Sequence, residues 1–159
     1  TQAVGIDLPL PKLQTLFDLT WSNDSSKIIS ILENDEPKNK GELFEQYLGL
    51  LYFHLGHRVS VTRKGKDNGV DIVIYDDSEN IIKLISAKNW NKRIDRPNML
   101  KEIQLFESYI DSTPLTVRPY KEVFSLNGFT KEAESNQVET LPLFDFMFKS
   151  AKRGLASCQ

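Results

Sequence analysis

Residues 69–90 read GVDIVIYDDSENIIKLISAKNW. Two β-rich apolar runs, VDIVIY (70–75) and IIKLISAK (81–88), flank the polar segment DDSEN (76–80), which is the pattern of a β-hairpin. Asp71 stands near the mouth of the first run and Lys88 closes the second. In an antiparallel hairpin the start of one strand lies beside the end of the next, so Asp71 is expected next to Ser86 and Lys88. Strand alternation sends Ser86 and Lys88 to one side, with Ile85 and Ala87 opposite. A hairpin needs neither charge to fold, so the pair asks for a chemical explanation.

The surrounding chain sets bounds on that explanation. At 159 residues one domain with a sizeable core is expected, and 40% hydrophobic with 26% charged residues excludes a disordered chain. No apolar run reaches the length of a membrane span, and residues 1–30 lack the pattern of a secretory signal. The chain starts at Thr1 without Met, as expected of a processed chain or a piece cut from a larger one. A single cysteine, Cys158, forms no internal disulfide, and intracellular (cytoplasmic) residence is the expectation. His54 and His57 lie three apart without a nearby third ligand, a weak metal signal. Net charge is −2, yet residues 58–96 carry nine Lys/Arg against six Asp/Glu. A locally basic middle in an acidic protein suits a phosphate-facing groove, and a solvated face equally.

Working outward from the hairpin, RVSVTR (58–63) alternates as a strand before the turn KGKDNG (64–69), and KEVFSL (121–126) is a further strand. GELFEQYLGLLYFHLG (41–56) has helical spacing, with Gly56 as its stop and Glu42, Glu45 and Gln46 toward a polar side. RPNMLKEIQLFESYI (96–110) is a helix whose buried stripe reads Met99, Leu100, Ile103, Phe106 and Tyr109 or Ile110. Thr130 caps a helical FTKEAESNQ (129–137), and ETLPLFDF (139–146) is a last strand that Pro142 restricts to an edge. Before the hairpin, LPLPKLQTLFDL (8–19) runs from a proline-containing arm into a short helix, and Ser25–Ser26 cap the helix KIISILEN (27–34). The charged NDEPKNK (34–40) reads as a linker. The expected division is an N-terminal arm and helix over 1–40, a main domain over 41–148 and a flexible basic tail over 149–159. The alternation of helices and strands implies an α/β fold with a mixed central sheet.

A carboxylate beside a lysine at a sheet edge, with Glu45 on the preceding helix, is a set suited to metal-dependent phosphodiester cleavage. Oxygen ligands hold a hard divalent cation, and a lysine orients water or offsets charge on phosphate oxygens. In chain order, GELFE (41–45), DNGVD (67–71), SAKNW (86–90) and GFTKEA (128–133) resemble the Mrr-like branch of the PD-(D/E)xK restriction-endonuclease-like superfamily. The resemblance spans about two thirds of the chain, from Gly41 to Phe146. It implies a restriction-endonuclease-like αβββαβ core with a mixed central sheet flanked by helices, Mg²⁺ with Mn²⁺ as a substitute, and DNA as partner. It assigns Asp71, Glu45 and the Ala87 carbonyl to the metal and Lys88 to catalysis, and leaves Asp67 to shape the turn.

At position 86 the family has Gln or Glu, and this chain has Ser86, a short neutral group that acts on a metal only through water. The reading that follows is a Mg²⁺-dependent endonuclease with Asp71, Lys88, Glu45 and Ser86 at its site, serving in restriction or defence against foreign DNA. The alternative is an impaired nuclease fold that binds DNA without cutting. Arg63, Lys64, Lys66, Lys92, Arg93 and Arg96 are the candidate phosphate contacts. Trp21 and Trp90 are candidates for stacking on bases, against the commoner role of such aromatics in packing. A homodimer and further domains of a larger protein stay open.

Overall fold

The computed structural model describes residues 11–22, 24–34, 40–62, 70–133 and 139–142. Helices α1 (Pro11–Trp21), α2 (Ser25–Glu33) and α3 (Lys40–His54) precede strands β1 (Arg58–Val61), β2 (Ile72–Tyr75) and β3 (Ile81–Lys88). Helix α4 (Arg96–Ser112), strand β4 (Tyr120–Ser125), a 3₁₀ turn (Lys131–Ala133) and strand β5 (Glu139–Pro142) follow. The sheet order is β1-β2-β3-β4-β5; the first three strands are antiparallel neighbours, whereas β4 and β5 continue parallel to β3. This is the α/β architecture expected, a mixed sheet with a helical layer on each face.

Strand parity divides the core. Val59, Val61, Ile72, Ile74, Ile85, Ala87 and Phe124 join Phe44, Tyr47 and Leu48 of α3 on one face. Val73, Leu84 and Val123 meet Met99 and Phe106 of α4 on the other. Leu13 and Leu16 of α1 and Ile28 and Leu32 of α2 belong to the α3-side cluster, and Thr20 Oγ1 lies 2.6 Å from Tyr47 OH. Burial pushes the Tyr47 phenol well above its usual range, so that hydroxyl stays neutral.

The hairpin turn is held by Asp76, whose Oδ1 accepts the backbone N–H groups of Ser78 and Asn80 at 2.9 Å each. The backbone N–H of Asn80, above all, keeps the Asp76 carboxyl below the usual carboxylate range. Glu79 takes a positive φ of 67° there, a conformation the turn imposes on a non-glycine residue. Gly56, at φ 94°, ends α3 as the sequence predicts.

Four local expectations are corrected. Asp24, not the serines after it, caps α2 by accepting from Lys27 N, because Ser25 already lies in the first turn. Gln46 is buried and donates to Glu42 Oε1 at 3.3 Å, drawn inward as α3 packs on the sheet. Leu100 is exposed, and Glu102 takes the buried place beside Met99. Among the described residues the Thr130 hydroxyl is buried with no partner to cap, and Ala133 N donates to the Thr130 carbonyl instead. Among the described residues β5 pairs only with β4, so Pro142 sits on an edge strand, as its missing N–H requires.

Candidate active site

The site forms where β2 begins and β3 ends. Ile72 pairs with Ile85, and the Asp71 N–H also donates to Ile85 O at 2.9 Å, which holds Asp71 beside the end of β3. The Asp71 carbonyl accepts from Thr62 N at 2.8 Å, so its backbone is bonded to both neighbouring strands. Its carboxylate Oδ2 accepts the Ala87 N–H at 2.8 Å, and the residue is 4% exposed. A carboxylate this buried is retained only where donors compensate its desolvation, and the strand N–H is one of them.

Ser86 and Lys88 turn toward α4, as strand parity predicts. There they meet a residue that the sequence reading passed over. Ser86 Oγ donates to Glu102 Oε1 at 2.5 Å, and Lys88 Nζ stands 3.3 Å from the same oxygen. Glu102 is 5% exposed and Ser86 is fully buried. The signal was present: Glu102 falls three after Met99 and four before Phe106, inside the apolar stripe of α4, where a charged residue needs a partner. Helix α4 is set in place by Asp95, whose Oδ1 accepts Asn98 N at 3.1 Å and Asn98 Nδ2 at 2.7 Å. Those bonds, the backbone one first, hold the Asp95 carboxyl below its usual range.

Strand β4 contributes a second overlooked residue. Ser125 pairs with Lys88, and its buried hydroxyl has no hydrogen-bond partner among the described residues. Lys88 Nζ also lies 5.7 Å from the centre of the Trp90 ring, and Lys92 Nζ lies 5.9 Å from it. Lys92, Arg93 and Arg96 are exposed on the segment from β3 into α4. Arg63, Lys64, Lys66 and Asp67 lie outside the described residues.

Glu45 is half-buried in α3, the helix on the opposite face of the sheet, and is engaged in an interaction there. The two histidines pack instead of converging: His54 stands edge-on to Phe17 and Trp21, and His57 stands edge-on to Tyr52. Trp21 is thereby part of the α1–α3 packing.

A strand pair bearing Asp71 and a Ser-Ala-Lys end, backed by a helix carboxylate, sits within a matched segment. Residues 37–140 match the Mrr_cat family model, described as restriction endonuclease. The chain belongs to the Mrr-type restriction endonuclease family. Nothing among curated proteins or solved structures matches it. Membership makes this a nuclease domain of restriction type, with DNA as the implied substrate and a divalent metal as the cofactor such endonucleases generally use. Among the described residues of this Mrr-type domain, no three His, Cys, Asp or Glu side chains cluster into a metal cage. Such a cage is not what Mg²⁺ takes, since it binds through one or two carboxylates and keeps several waters. No helix among the described residues is long and apolar enough to cross a membrane.

Proposed function

We propose that this domain is a Mg²⁺-dependent DNA endonuclease that hydrolyses phosphodiester bonds, with Mn²⁺ able to substitute, in restriction or defence against foreign DNA. One observation carries the reading: Glu102 Oε1 joins Ser86 Oγ and Lys88 Nζ at one point, at the end of β3 where the Asp71 carboxylate accepts the Ala87 N–H. The serine at position 86, which by itself argues for a module that binds without cutting, thus has a carboxylate behind it.

Asp71 and Glu102, with the Ala87 carbonyl, offer the hard oxygen donors that Mg²⁺ prefers. When bound, the ion polarises the phosphate and lowers the pKa of a water. The protein's part is positioning. The Ala87 N–H orients Asp71, and the Ser86 hydroxyl orients Glu102. Lys88 orients the attacking water and offsets charge gathering on the phosphate oxygens. Glu45 is the α3 candidate for holding metal or water, while Lys92, Arg93 and Arg96, together with Arg63, Lys64 and Lys66, hold backbone phosphates without reading sequence.

The test is plasmid cleavage in Mg²⁺, Mn²⁺ and EDTA. Nicking or cutting with metal, absent in EDTA and absent in Lys88→Ala, is the expected result. Cleavage that survives in Lys88→Ala overturns the assignment.

A further inference from the structure

Next to Lys88, where the chain leaves β3 for α4, an open groove of about 500 Å³ is lined by Asn89, Trp90, Asn91, Lys92 and Asn98. Its volume is within the range that a small ligand or a single nucleotide occupies. Its walls are tied to three different parts of the fold. Asn89 Nδ2 donates to Leu32 O of α2 at 2.9 Å, Asn98 Nδ2 donates to the cap residue Asp95, and Asn127 donates to the Trp90 carbonyl. The groove is therefore pre-formed. The Trp90 indole is half-buried, one part packed on the α4-side core and the rest lining the groove. Two ammonium groups flank the ring, and they differ: Lys88 is engaged by Glu102, whereas Lys92 is exposed on a flexible stem.

We propose that this groove is a nucleotide subsite, in which the Trp90 ring stacks on one unstacked base of the DNA strand being cut and Lys92 takes a neighbouring phosphate. The proposal rests on the nuclease reading above for its substrate. A rigid aromatic face with an adjacent mobile cation matches a base joined to a phosphate, and neither a purely apolar ligand nor a bare phosphate uses both. An exposed ammonium–indole contact is weaker than base–aromatic stacking, so an arriving base displaces Lys92 from the ring and leaves its charge for the backbone. Bases inside a duplex have both faces covered, which restricts the subsite to an unpaired or extruded base. The groove thereby favours cutting sites at which a base next to the scissile phosphate is unpaired.

The protein has two tryptophans, Trp21 and Trp90, so Trp21→Phe leaves Trp90 as the single indole reporter. That variant is titrated at low salt, in Mg²⁺ and in EDTA, with a short single-stranded oligonucleotide and with a strand of equal length whose sugars are all abasic. Quenching of indole emission by the base-bearing strand only is expected. In the native background, Trp90→Ala is expected to weaken binding of the base-bearing strand about tenfold, to leave the abasic strand unaffected, and Trp90→Phe to retain most of the affinity. Equal quenching by both strands, no quenching at saturation, or equal affinity of Trp90→Ala for the base-bearing strand overturns the proposal. Because the quenching readout needs no substitution at Trp90, it stands even where Trp90→Ala fails to fold. Cleavage without quenching removes the subsite and leaves the nuclease; quenching without cleavage does the reverse.

Discussion

Ser86 donates its hydroxyl to Glu102 Oε1 at 2.5 Å, so the strand position two before Lys88 acts through a carboxylate on α4. Where the family resemblance implies Gln or Glu on the strand, the buried serine instead bonds a carboxylate carried by the next helix. A longer acid at 86 and Glu102 together would crowd one buried site with two like charges.

That crowding defines the first prediction. Glu102→Gln is expected to abolish metal-dependent nicking. Ser86→Ala, which removes only the group that orients Glu102, is expected to lower it by about 10- to 100-fold. Ser86→Glu alone should be inactive, and Ser86→Glu combined with Glu102→Ser should recover part of the activity. Plasmid nicking rates check all four, and full activity in Glu102→Gln would remove the helix carboxylate from the site.

Asp71 separates structural from chemical roles. Asp71→Asn keeps an oxygen for the Ala87 N–H and loses the charge, so cleavage should vanish while the denaturation midpoint barely moves. Asp71→Ala leaves that buried N–H without its partner, at a cost of about 1–3 kcal/mol. Urea unfolding of the two variants side by side distinguishes them.

On the opposite face of the sheet, Glu122 is buried between Tyr52, whose OH donates at 2.5 Å, and Lys83. Lys83→Met strands the Glu122 charge with one donor. Because Lys83 is itself about a quarter exposed, the expected loss is nearer 2 kcal/mol than the larger values for fully buried pairs. Cleavage measured well below the unfolding temperature should be unchanged. A large loss of cleavage in folded Lys83→Met would mean that the two faces are coupled.

The cap of α4 predicts a pH dependence. Hydrogen bonds from Asn98 lower the folded pKa of Asp95, so its contribution to stability is complete above the unfolded carboxylate value of about 3.9. It is lost as pH falls through the depressed folded value. Asp95→Ala should therefore be less stable than the native chain at pH 7, and the two should converge in strong acid. Denaturant midpoints across that range test the sign; a gap that widens in acid would contradict it.

How much of this was legible beforehand follows from the range of each interaction. Alternation and turn chemistry are local, so the hairpin, its parity and the neighbourhood of Asp71, Ser86 and Lys88 could be read from residues 69–90 alone. Pro142 likewise announced an edge, because a residue without an N–H cannot sit inside a ladder. Glu102 could not be paired in the same way. Helical period marks its position as buried, but the partner of a buried carboxylate is fixed by where α4 crosses the sheet, and that crossing depends on Met99 and Phe106 packing against Val73, Leu84 and Val123. The same holds for Ser125, whose place beside Lys88 is a parallel-strand register across a helical crossover, and for Gln46, drawn inward by packing against propensity. By itself the sequence determined the family and the strand pair that brings Asp71, Ser86 and Lys88 near one another, since those rest on order and spacing along the chain. Only the tertiary structure decided that Ser86 answers to Glu102, because that contact joins a strand to a helix through side chains whose separation no periodicity encodes.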